Sequence, residues 1–184
     1  MFGFLFKKKG WNHVGHQLFQ TVIDQSRNPL FYSDLAVEDS IDGRFDLMAL
    51  NMAFVLDKLD THSEEDGVPG LKRILQEIMF DNLDLTLREI GVGDLGVGKK
   101  IKVMAEAFYG RMVVYQDLFK SHDIKGMSDA LSRNLYRGED VDQGIIDQMV
   151  SYSFNQLDYI KKQSLEMLIS GEVDFLSPGN TDHA

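Results

Sequence analysis

The sequence has no cysteine, only three prolines in 184 residues, and no long apolar run. Without cysteine, disulfides, thiolate nucleophiles and thiolate-held zinc are all excluded. The prolines stand at 29, 69 and 178, which leaves most of the chain free to form long helices. No uninterrupted apolar stretch comes near the ~18 residues that a membrane-spanning helix requires. Positive charge is also scarce: 19 Lys and Arg against 29 Asp and Glu give a formal net charge of −10. That argues against a general nucleic-acid binder, whose footprint is basic. Lys7, Lys8 and Lys9 occupy the first ten residues without an acid, whereas from Gly138 onward nine acids face only Lys161 and Lys162. Contact with phosphates or anionic lipid is therefore expected to be local.

Helical periodicity fills the rest. Ile41, Phe45, Met48, Met52, Val55 and Leu59 recur at spacings of three and four, with Asp39 or Ser40 as N-cap. Leu71, Ile74, Leu75, Ile78, Leu83, Leu87 and Ile90 repeat the pattern over 68–90, and Val97, Ile101, Met104, Phe108, Met112, Tyr115 and Phe119 over 97–119. A last long stretch runs through Ile146, Met149 or Val150, Leu157, Ile160 and Leu168, and shorter helices are expected near 12–27 and 126–136. Runs such as "SRNPLFYSD" and "THSEEDGVPG" read as connectors. There is no alternating strand pattern and no internal repeat. The fold class predicted is all-α: a single domain of about six helices around one core, spanning 12–176. A flexible basic and aromatic segment, 1–11, precedes it, and a disordered tail, 177–184, follows.

The segment "GVGDLGVGKK", 91–100, imitates two phosphate cradles. Gly91, Gly93 and Gly96 spell the dinucleotide fingerprint, and Gly93 to Lys99 nearly spell a P-loop. Both motifs need a strand before the first glycine, and here the preceding "FDNLDLTLREI" has helix spacing. Position 100 is Lys where a P-loop places Ser or Thr. A helix–turn–helix joint fits better. Gly91 would end one helix in a left-handed conformation, and Asp94 would cap the next. Gly96 and Gly98 in its first turns would then imply close approach of another backbone.

Other candidates have competing structural readings. His13 and His16 share a helix side but lack carboxylates at ligand spacing, so no metal is expected. Arg44, Arg88 and Arg111 sit beside apolar stripes. They either pair with Asp46, Asp81, Glu89, Asp94 or Glu106 between helices, or Arg88 and Arg111 face outward with Lys99 and Lys100 as an anion site. Met48, Met52, Met104 and Met112 fall on core positions, although Met also suits adaptable apolar grooves. Tyr109, Tyr136, Tyr152 and Phe108 could edge such a groove. Phe2, Phe4 and Phe6 with Lys7, Lys8 and Lys9 form chemistry for lying on an anionic membrane. Apolar residues precede those lysines, the reverse of a secretory signal, so a cytoplasmic protein is expected. No catalytic triad can be assembled.

The run "LREIGVGDLGVGKKIKVMAEAFYGRMVVY", 87–115, resembles the signature of the ubiquinol–cytochrome c chaperone family in its alphaproteobacterial form. "SRNPLFYSDLAVEDSIDGRFDLMALNM", 26–52, and "ALSRNLYRG", 130–138, are similar to the same family. The resemblance implies an all-helical assembly factor, not an enzyme, that assists biogenesis of complex III by binding newly made cytochrome b or another complex III subunit. It implies a small partner protein and ribosome contact for the mitochondrial relatives, and it supplies no catalytic residues and no cofactor. The candidate client or anion contacts are then Arg88, Lys99, Lys100, Tyr109 and Arg111. The expected location is peripheral, at the cytoplasmic face of the inner membrane. A headgroup-binding helical module and a nucleotide-binding enzyme using 91–99 are the alternatives.

Overall fold

The structure, a computed structural model, describes residues 2–179, with side chains from Gly10 onward. Its helices are α1 Phe2–Ser26, α2 Leu30–Ser33, α3 Ile41–Asp60, α4 Val68–Glu89, α5 Asp94–Ser121, α6 Ile124–Asn134, α7 Gln143–Lys162 and α8 Leu165–Ser170. No strand occurs among the described residues, so the fold is all-α. Apart from α2 and α8, each helix has at least eleven residues.

The packing is organised by α3. Every residue from Phe45 to Leu59 is buried, because α1, α4, α5 and α7 all lie against this helix. Its periodicity suggests one apolar face, yet Leu47, Leu50, Phe54 and Leu56 are buried as fully as that stripe, and Ile41 is exposed. A helix apolar all round belongs in the middle of a core. Ser40 caps it, its hydroxyl accepting from the Gly43 amide at 3.1 Å.

Around α3 the boundaries follow local chemistry. Gly67, with φ +90°, starts α4, and a Cβ there would stand 2.6 Å from the Trp11 ring. Gly91, with φ +88°, follows the end of α4. Gly93 is the N-cap residue of α5, and Asp94 is its first helical residue, so Asp94 does not cap it. Asp123 and Asp142 cap α6 and α7 by accepting from the Gly126 and Gly144 amides.

The sequence reading differs in three further places. Part of the supposed connector "SRNPLFYSD" is the short helix α2, which buries Phe31. The last long stretch is two helices, because Gln163 is extended and its side chain bonds the backbone N–H and C=O of Asp174 at 3.0 and 2.8 Å. The first helix begins at Phe2, further back than its periodicity over 12–27 requires. The expected membrane contacts Phe2, Phe4, Phe6, Lys7, Lys8 and Lys9 lie outside the described side chains.

Where α1 meets α4, Gly15 leaves no room for a side chain: a Cβ would lie 2.9 Å from both Ile74 and Ile78. Gly15→Leu is therefore expected to lower unfolding free energy by about 1–3 kcal/mol through overpacking. Urea denaturation followed by circular dichroism checks this. An unchanged midpoint would mean that α1 does not seat on α4 at Gly15.

Candidate functional site

The candidate residues cluster at the α4–α5 joint and along α5, but they do not form one cationic surface. Arg88, at the end of α4, forms ion pairs with Asp84 on its own helix and with Asp94 across the joint. Those two carboxylates hold its guanidinium charged more firmly than usual. Lys99 and Lys100 remain exposed. They line one side of a groove of about 240 Å³ whose other walls are Ile41, Asp42, Leu87, Val103 and Met104. That groove combines apolar walls with two lysines and the Asp42 carboxylate.

Arg111 points the other way. Its side chain is only 12% exposed, lies over the Phe45 ring at 5.4 Å, and brings Nη2 to 2.8 Å from Oδ1 of Asp46. Asp46 itself is 1% exposed. Arg137, in the α6–α7 connection, reaches Oδ2 of the same carboxylate at 2.9 Å and Asp42 at 3.3 Å. The Arg111 approach is not aligned as a hydrogen bond, and its Nε also lacks an acceptor. Attraction there is chiefly coulombic, so it offsets less of the cost of burying the carboxylate. Burial wins, and pushes the Asp46 carboxyl up to about 6.

The aromatic and sulfur side chains divide similarly. Tyr109 is half exposed, its ring against Phe80 and Phe108. Phe108, Tyr136 and Tyr152 are buried, and the Tyr136 hydroxyl donates to the Leu35 carbonyl at 3.0 Å. Met48, Met52 and Met112 are core residues, and buried Met104 reaches the groove. His13 and His16 are both exposed, and no group of three metal-ligating side chains occurs among the described residues.

The glycine loop joins two helices, so it lacks the strand that either nucleotide motif requires. The backbone approach expected at Gly96 and Gly98 is absent. A Cβ on Gly96 would meet only the Val92 side chain at 3.0 Å, and one on Gly98 would meet nothing within 4 Å. Sequence reasoning missed the exposed apolar residues of this region: Leu95, Val103, Val113 and Val114 on α5, with Ile41 and Ile90 beside it. Their signal was present, since all four α5 residues fall off the buried stripe of that helix.

Stability should register the Asp46 cluster. Because its carboxyl lies at about 6 when folded against an ordinary 3.8, the folded chain holds this proton more tightly than the unfolded chain. The resulting stabilisation is complete below pH ~4 and is lost as pH rises through about 6. Urea midpoints of the wild type and of Asp46→Asn should therefore diverge across pH 4–7, the wild type losing about 2–3 kcal/mol more than the variant. Parallel profiles would show that Asp46 does not titrate in this range.

Comparison with known proteins follows the same residues. The chain resembles the solved structure of the Cbp3 homolog from Brucella abortus, with a TM-score of 0.84 and 25% identity over 99% of this chain and 100% of that one. No curated protein matches. No helix among the described residues is long and apolar enough to cross a membrane. The profile of the ubiquinol–cytochrome C chaperones matches residues 33–175, from the end of α2 past α8 and including the whole of the groove. This chain belongs to the ubiquinol–cytochrome c chaperone family.

Proposed function

We propose that the chain is a holding chaperone in the assembly of ubiquinol–cytochrome c reductase. It binds newly made cytochrome b at the cytoplasmic face of the inner membrane and releases it to the next assembly step. Family membership supports the assembly role. Holding requires affinity and no bond-making, so neither a catalytic residue nor a cofactor enters.

The observation that carries the site is the outer side of α5. Val103 and Val113 are 63% and 62% exposed, and Val114 and Tyr109 lie nearby on the same helix. Gly98 and Gly110 leave bare backbone there, with nothing within 4 Å of either position. Each glycine weakens the helix by about 1 kcal/mol relative to Ala. No contact inside the described structure accounts for that cost. An apolar client helix could lie close over Gly110 with the valines packed against it. The groove of Ile41, Leu87, Val103 and Met104 would take a projecting side chain, and Lys99 and Lys100 would meet carboxylates or headgroups at its lip.

Deleting the gene should abolish haem b absorbance and complex III on blue-native gels while sparing other respiratory complexes. Complementation with Val103→Asp/Val113→Asp should restore less than a tenth of complex III, although the variant melts like the wild type. Full rescue by that variant would remove the outer face of α5 as the client site. Normal complex III in the deletion strain would overturn the assembly reading itself.

A further inference from the structure

We infer that the α4–α5 end is a bilayer contact, in which Ile90 and Leu95 enter an anionic membrane surface tip-first and Lys99 and Lys100 bind its headgroups. Leu95 is 89% exposed in the first turn of α5, and Ile90, the C-cap of α4, is half exposed across the same joint. The two helices pack on each other and are joined by residues 90–93, so both side chains sit at one end of a helical hairpin.

Charge decides what this end meets. From Leu95 to Ala105, α5 carries Lys99, Lys100 and Lys102 and no acid, in a chain of net charge −10. Among the described residues Lys99 and Lys100 form no ion pair, while Lys102 lies 3.9 Å from Glu106. The acids at this end are mostly engaged. Asp84 and Asp94 share the single Arg88 guanidinium, with Asp94 still 88% exposed, and Arg137 pairs with Asp42. Glu89, one residue before Ile90, stays exposed.

The spacing matches the layers of a bilayer surface. Lys99 follows Leu95 by one turn, about 6 Å along the helix axis. Apolar side chains of surface-bound helices sit about 5–10 Å deep, at the boundary between headgroups and acyl chains. With Leu95 at that boundary, the ammonium groups of Lys99 and Lys100 stand among the phosphates. Each surface-bound lysine contributes about fivefold in affinity at moderate salt, and the attraction weakens as salt screens it. The contact would stand α5 upright on the membrane, with its valine face open beside the surface. The biological sense of this contact rests on the function proposed above, whereas its physical basis does not.

Sedimentation of the full chain with mixed phosphatidylethanolamine and phosphatidylglycerol vesicles tests it without any client. Binding is expected, weakened by added salt and slight on vesicles of phosphatidylcholine alone. Leu95→Asp should weaken it at least tenfold. Lys99→Glu/Lys100→Glu should weaken it at least 25-fold, with thermal midpoints unchanged for both variants. A third variant replaces Phe2, Phe4, Phe6 and Lys7 to Lys9 with serine. If that variant alone abolishes binding while the other two bind like the wild type, the inference is overturned. It is equally overturned if the wild type binds no vesicle, or if Leu95→Asp instead breaks a dimer in solution. Intact vesicle binding together with normal complex III in the deletion strain would sink the assembly reading and leave the membrane contact standing.

Discussion

A helix with no solvent-facing side must find partners for every polar group it carries, and α3 carries four such residues within its buried stretch: Asp46, Asn51, Asp57 and Lys58. Between them they recruit α1, α5, the α6–α7 connection and α7. Asp46 draws Arg111 from α5 and Arg137 from the α6–α7 connection. The Asn51 amide donates to Ser26 of α1 at 3.1 Å. Asp57 lies 3.6 Å from the Lys161 ammonium of α7, and Lys58 donates to the Lys161 carbonyl at 3.0 Å. Apolar burial supplies the driving force for packing, but it is non-directional. These polar contacts fix which helix lies where, since a mispacked neighbour would strand a buried charge or amide.

The same logic separates interior from surface on α5. Arg88 and Arg111 both stand near apolar stripes in sequence, and both end in ion pairs, yet only Arg111 is enclosed. Its guanidinium lies between the Phe45 ring and Asp46, and it contributes more to the register of α5 on α3 than to any external contact. The exposed side of α5 carries valines, glycines and lysines interspersed with Glu106, Tyr109 and Asp117. One helix thus has a rigid inner half that holds its position and an outer half that no other part of the described chain covers.

Much of this was legible in the sequence. The long helices, the Gly91 terminus, Ser40 as one of two possible caps and Asp46 as one of five candidate partners for the arginines follow from spacing and residue type, because they depend on local geometry or on complementary charge. Other features depend on tertiary surroundings. Periodicity finds an amphipathic face but cannot show that Leu47 and Phe54 on the far side of α3 are also covered. The break after α7 depends on the Gln163 side chain bonding Asp174, eleven residues away. The outer face of α5 was hidden for another reason. A single exposed apolar residue such as Leu95, Val103 or Val113 carries little information until neighbours join it.

The C-terminal segment after α8 bears on how the protein comes into being. The Gln25 amide donates both to the Tyr152 hydroxyl and to the Leu176 carbonyl, at 2.8 Å each, and Gln156 accepts from the Leu176 amide at 2.7 Å. The two Gln25 links join the first helix to residues more than a hundred positions later, a closure of high contact order. During synthesis the Gln25 amide meets the Leu176 carbonyl only after α1 to α8 have all been made. The first helix is thus closed against a segment made after every other described helix.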